Sequence, residues 1–285
     1  MTVLFEPWLQ FQHAAVRQLA FTIASPNILR ELPKQLTVVH AFELHNDQFW
    51  QKQYQRYEPR LQQLDQNPDE LLQFLAQLKS TRLGLRFEYL MWFWLQDSLF
   101  HDFELIGHSI QIIDAKNTLG ELDFLVWNKS TTQIEHWEVA LKFYLAEGLL
   151  DLPQWYGLNR SDTLNRKLNH FSQKQFQFKS AQGHAIHRRY AVLKGQLYIP
   201  LVENMTQVPH SLPHWMNPAR RMGHWGNQVL TGYYRLERQE WICAQHVQSS
   251  PNATWWYNGL YRNQVTQHDY MFRQAEYLKC SVRIM

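Results

Sequence analysis

The run IEHWEVALKFYLA, residues 134–146, admits few structures. From 137 onward its odd positions, Trp137, Val139, Leu141, Phe143 and Leu145, are all apolar. Its even positions are His136, Glu138, Ala140, Lys142 and Tyr144. A period of two is that of a β-strand, and it puts Glu138 and Lys142 on one face. Charges inside so apolar a strand are costly unless paired, hydrogen-bonded or bound to a cation. The segment therefore belongs to a sheet, beside an ionic cluster or a site.

The neighbouring segments extend that sheet. FELIGHSIQII (103–113) is rich in β-branched residues and ends in the turn signal DAKN. GELDFLVWN (120–128) reads as a second strand and 134–146 as a third, joined by short turns into an antiparallel meander. Glu121 and Asp123 share a face of the second strand and compete for one role there. Before the meander, 81–99 is free of proline and apolar around most of its circumference, which describes a helix packed on several sides. After it, 161–176 has an apolar stripe of Leu164, Leu168 and Phe171, with Ser161 or Asp162 as the expected N-cap. YAVLKGQLYIPL (190–201) returns as a strand parallel to its neighbour. The expected fold class is α/β, with the order α-β-β-β-α-β over 81–200.

On either side the pattern is looser. Residues 1–80 read as a helical N-terminal lobe in which Pro26, Pro33, Pro59 and Pro68 keep helices short. Residues 201–285 form an aromatic-rich α+β C-terminal extension, with a strand pair expected over 232–245 and a helix over 269–280. The net charge of +3 conceals a division. Residues 81–156 carry five basic against eleven acidic side chains, and 157–200 carry eight against one. Acidic groups can gather a divalent cation, and basic ones can neutralise phosphates.

GELDFL (120–125) followed by Glu138 on the next strand resembles the PD-(D/E)XK restriction-endonuclease-like nucleases. In that superfamily a Glu-bearing helix precedes a three-strand meander that supplies an Asp, then an acidic residue and a Lys. GLRFE (84–88) places Glu88 at the helical position, Asp123 at the metal-binding Asp and Glu138 at the second acidic ligand. The resemblance implies a restriction-endonuclease-like mixed-sheet core and Mg²⁺- or Mn²⁺-dependent hydrolysis of DNA or RNA phosphodiesters. Asp123, Glu138 and Glu88 would hold the metal, with Lys142 completing the catalytic set. Arg160, Arg166, Lys167 and Lys174 would contact the nucleic-acid backbone. One position departs from the acidic-x-Lys pattern, because Ala140 stands where Lys is usual. Lys142 then lies ~13 Å along the strand from Glu138, and Lys167 on the following helix is a second candidate. The alternative is an inactive relative that binds nucleic acid or assembles with protein.

Other chemistries find no motif. Cys243 and Cys280 are 37 positions apart, without a CxxC partner, so a disulfide scaffold and a cysteine zinc module are not expected. His184/His187 and His210/His214 lack the context of a zinc motif and read as loop residues. Trp215, Trp225, Trp241, Trp255 and Trp256 read as core or a contact surface before they read as base-stacking groups. No P-loop, GxGxxG after a strand or GxSxG occurs. With no signal-peptide pattern and an apolar run, 90–95, too short to span a bilayer, the expectation is a cytoplasmic protein without a membrane segment.

Overall fold

The computed structural model describes residues 4–115, 117–201 and 212–274. Four helices come first: α1 (Ala14–Ala24), α2 (Asp47–Gln66), α3 (Asp69–Ala76) and α4 (Leu83–Gln96). Three long strands follow, β1 (Phe103–Asp114), β2 (Asn117–Asn128) and β3 (Gln133–Ala146), then the short β4 (Trp155–Tyr156). Helix α5 (Leu164–Gln173), a small hairpin of β5 (Ser180–Ala181) and β6 (His184–Ala185), and β7 (Arg188–Pro200) come next. The chain closes with β8 (Gly223–Gly226), β9 (Tyr233–Arg235), β10 (Gly259–Asn263) and β11 (Asp269–Phe272).

Among the described residues one mixed sheet runs in the order β1-β2-β3-β7-β8-β11-β10-β9, with β4 on the end of β3. The meander β1–β2–β3 is antiparallel, and β7 lies parallel to β3. Strands β8 and β11 continue in parallel, then β10 and β9 reverse. Alternation along β3 splits the core. Trp137, Val139, Leu141, Phe143 and Leu145 join the cluster shared with α1, α2 and α4. Ala140 and Tyr144 join the opposite cluster with Leu164, Leu168 and Phe171 of α5. The acidic half of the meander and the basic helix therefore meet on one face of the sheet.

Gly195 permits the tightest approach inside it. Its φ of +124° favours glycine, and a Cβ there would overlap the backbone carbonyl of Lys142 on β3.

Several elements differ from their sequence patterns. Helix α2 continues through Pro59 because Trp50, Tyr54, Tyr57, Leu61 and Leu64 form a buried stripe on the core side. Pro59 and Gln55, whose carbonyl the missing N–H would have met, are both exposed, so the lost bond falls on the solvent side of the helix. The N-cap of α5 is Thr163, whose hydroxyl accepts from Arg166 N, and neither Ser161 nor Asp162. Over 232–245 there is one strand, β9, followed by a turn of 3₁₀ helix over Arg238–Trp241. Residues 269–272 are strand β11 and not the start of a helix, because pairing with β8 and β10 overrides helical propensity. The rest of that expected helix, from 275, lies outside the described residues. Among the described residues no helix is long and apolar enough to cross a membrane.

Candidate active site

The ladder between β2 and β3 pairs Asn128 with Gln133 and ends at Phe124 with Trp137. The next pair in register would be Asp123 and Glu138. There the strands part, and the Asp123 carboxylate replaces a ladder acceptor: its Oδ2 takes the hydrogen bond from Val139 N at 2.8 Å. Both carboxylates thus sit on the α5 face, at the point where the backbone opens. Glu138 is fully buried, whereas Asp123 keeps partial access to solvent.

Lys167, one turn into α5, is the cation opposite them. Its Nζ donates to Gln175 Oε1 at 3.0 Å and lies 4.0 Å from the centre of the Phe171 ring. The Gln175 amide donates in turn to Glu138 Oε2, bridging the lysine to the carboxylate. On the other Glu138 oxygen, His136 Nε2 donates at 2.7 Å. Burial lowers the His136 pKa to about 3, so the ring is neutral, and its Nδ1 is a buried atom without a partner. Burial and the adjacent Glu138 charge hold the Asp123 carboxyl well above the usual range. Burial also raises Glu138, against the pull of Lys167, and lowers the Lys167 ammonium, against the pull of both carboxylates. Ionising both carboxyls against one lysine would leave a surplus negative charge in a low-dielectric site, which is what holds their pKa values up.

Glu88 approaches from the opposite side of the meander. It lies on α4 and accepts from His108 Nε2 of β1 at 2.8 Å, with the imidazole stacked on Trp92 at 4.3 Å. Its charge is among those raising Asp123. The adjacent Ser109 has φ +49°, in the left-handed region, within the irregular part of β1 that turns these side chains toward α4.

The remaining candidates separate. Lys142 shares the Glu138 face of β3, yet its Nζ pairs with Asp162 Oδ2 at 2.6 Å, just before α5. Four residues of strand rise carry it away from Glu138. Arg160 makes a two-pronged pair with Glu147, at 2.5 and 3.0 Å, and stacks on Tyr156, so it does not face outward for phosphate. Lys167 is turned inward to the carboxylates, not out to the rim. Arg166 is exposed on α5, and Lys174 is exposed at its C-cap. Glu121 is exposed, paired across the ladder with Gln111 of β1. Among the described residues no group of three or more His, Cys, Asp or Glu side chains is arranged to hold a metal ion. Asp123 and Glu138 make a set of two, which suits a hard cation that keeps waters and phosphate oxygens among its ligands but not a structural zinc.

A family model described as a domain of unknown function, DUF1853, matches residues 17–278. The chain belongs to that family. Comparison with curated proteins and with solved structures gives no match. The matched span encloses every element around the carboxylate pair, from α4 to the Gln175 turn.

Three participants escape a reading of the sequence. His136 shares the period-two face of Glu138, so alternation alone could have found it. His108 is visible only once β1 is laid beside α4. Gln175 lies beyond the end of α5, in a turn no periodicity describes. Of the tryptophans, Trp215, Trp225 and Trp241 are core residues, Trp256 stacks on Tyr261 at 4.0 Å, and Trp255 is 78% exposed. His187 Nδ1 accepts from Ile134 N, a structural role, and His210 and Cys280 lie outside the described residues. Cys243 is buried.

Proposed function

We propose that this chain is a metal-dependent nuclease of the PD-(D/E)XK type, with Asp123 and Glu138 as its metal-binding carboxylates and Lys167 as its lysine. The observation that carries the reading is the pair of carboxylates at the splay of two strands, facing a half-buried lysine from the next helix. The order α4-β1-β2-β3-α5-β7, with an antiparallel meander and a parallel return, supports the restriction-endonuclease-like core. Ala140 stands at the usual lysine position, and in this reading Lys167, linked to Glu138 through Gln175, supplies the lysine from α5.

The residues fit a magnesium or manganese ion. Their surplus charge is what a divalent cation would offset, and Mg²⁺ characteristically uses one or two carboxylates plus phosphate oxygens. Such an ion, when bound, polarises the phosphate and lowers the pKa of an attacking water. The protein's own groups supply the rest. Asp123, tethered to Val139 N, and Glu138, held by His136, fix two carboxylate oxygens in place before substrate arrives. Lys167 orients the attacking water or offsets the charge that develops on the phosphate oxygens. Gln175 limits the freedom of the lysine. Glu88, tied to His108, adds negative charge behind Asp123 and would support the ion from that side.

The test is hydrolysis of labelled DNA and RNA, single- and double-stranded, by the purified chain with Mg²⁺ or Mn²⁺. Cleavage is expected with the ion and absent in EDTA, and Asp123→Ala lowers it at least a hundredfold. Equal cleavage by Asp123→Ala would remove the residue from the site.

A further inference from the structure

Helix α5 does more than deliver Lys167. Its outward side carries Arg166 and His170, and Lys174 follows at the C-cap; the three are spaced four residues apart and all exposed. A rise of 1.5 Å per residue sets Arg166 and His170 ~6 Å apart on one side of the helix, and Lys174 extends the row past its end. That is comparable to the separation of adjacent phosphates along one nucleic-acid strand. Asn169 and Gln173 fill the spaces with amide groups, tied to Asn165 and to each other. The row is not a set of solvated ion pairs. Nearby cations have acidic partners, Arg160 with Glu147, Lys142 with Asp162 and Arg188 with Glu43. Among the described residues no acidic group pairs with Arg166, His170 or Lys174.

Two further observations point to a ligand. The first turn of α5 holds no acidic residue, so its N-terminal N–H groups and dipole favour an anion there. Arg166, His170 and Lys174 also line, together with Lys167, an open concavity of about 570 Å³, whose acidic residue, Asp162, is paired with Lys142. The outward row and Lys167 therefore border one concavity.

We propose that Arg166, His170 and Lys174 bind three consecutive phosphates of one nucleic-acid strand, laid along α5 so that it passes Lys167. The direction toward the carboxylates rests on the nuclease reading; the phosphate row stands without it. Arg166 supplies a forked donor set, Lys174 a point charge and His170 a ring N–H, while Asn169 and Gln173 can reach sugar or phosphate oxygens. Contacts of this kind position a strand without reading its sequence.

The experiment is fluorescence anisotropy of a labelled twelve-nucleotide DNA strand, and of its duplex, titrated with the full chain in EDTA at several salt concentrations. The triple variant Arg166→Ala/His170→Ala/Lys174→Ala is compared with Lys79→Ala, an exposed lysine before α4, as control. The triple variant is expected to weaken binding a hundredfold or more and to flatten the log–log salt slope by about 1.4 for its two permanent charges. Lys79→Ala leaves both unchanged, and all three proteins keep the same melting temperature. Failure of the wild-type chain to bind either probe, or binding by the triple variant within twofold with an unchanged slope, overturns the proposal. Binding that follows the row with no hydrolysis under any divalent ion would sink the nuclease reading and leave the row standing.

Discussion

Replacing Glu138 by glutamine should make the metal-free protein more stable. The Glu138 carboxyl is fully buried, and burial pushes its pKa from 4.5 up to about 8, against the attraction of Lys167. A carboxyl whose pKa is raised on folding keeps its proton in the folded state while the unfolded chain has lost it. Its destabilising effect is therefore absent below about pH 4.5, grows as pH rises and levels off above about 8. At pH 7, with ~1.4 kcal/mol per unit, the cost is on the order of 3 kcal/mol. Glutamine keeps the size and can accept from His136 Nε2, while Lys167 retains Asp123 as its counter-charge. At 2–4 °C per kcal/mol for a chain of this size, Glu138→Gln should melt roughly 6–12 °C above wild type at pH 7 in EDTA, and by more at pH 8. The difference should shrink toward zero at pH 5. Mg²⁺ or Mn²⁺ should raise the melting temperature of the wild type and leave the variant unmoved. Differential scanning fluorimetry across pH, with and without the ion, reads all of this. A variant that melts at or below wild type at pH 8 in EDTA would refute the surplus-charge reasoning.

Lys167→Ala should reduce Mg²⁺-dependent cleavage at least a hundredfold, while Lys142→Ala, which breaks only the pair with Asp162, changes it less than fivefold; initial rates on one labelled substrate decide between them. Asn46→Ala should cost about 1 kcal/mol of stability without altering cleavage, because the Asn46 side chain caps α2 by accepting from Phe49 N at 2.8 Å. Chemical denaturation and the same rate assay check both halves.

What the sequence makes legible follows from how far each signal reaches. The third strand is readable because alternation over thirteen residues fixes its faces and sets Glu138 opposite the apolar core. The meander and the return strand follow from short turns and a crossover helix. Lysine assignment is harder, since it depends on which part of α5 faces the sheet. Lys167 flanks the stripe of Leu164, Leu168 and Phe171, at the edge of the buried side, and that position turns it inward. Linear spacing favours Lys142, but a strand of fixed rise cannot bring it back to Glu138. Helix α2 shows that a strong buried stripe outweighs one proline on the wet side. In the C-terminal part the strands are three to five residues long, too short for any period to emerge, and their pairing with β7 and β8 comes from distant chain. The aromatic richness there builds sheet core, leaving Trp255 outside.

The most direct measurement is anomalous diffraction from crystals of the full chain grown or soaked with Mn²⁺. One ion held by carboxylate oxygens of both Asp123 and Glu138, with Lys167 beside it and the remaining positions taken by water, is the expected result. Strong manganese peaks elsewhere, with none between those two carboxylates, would contradict the account.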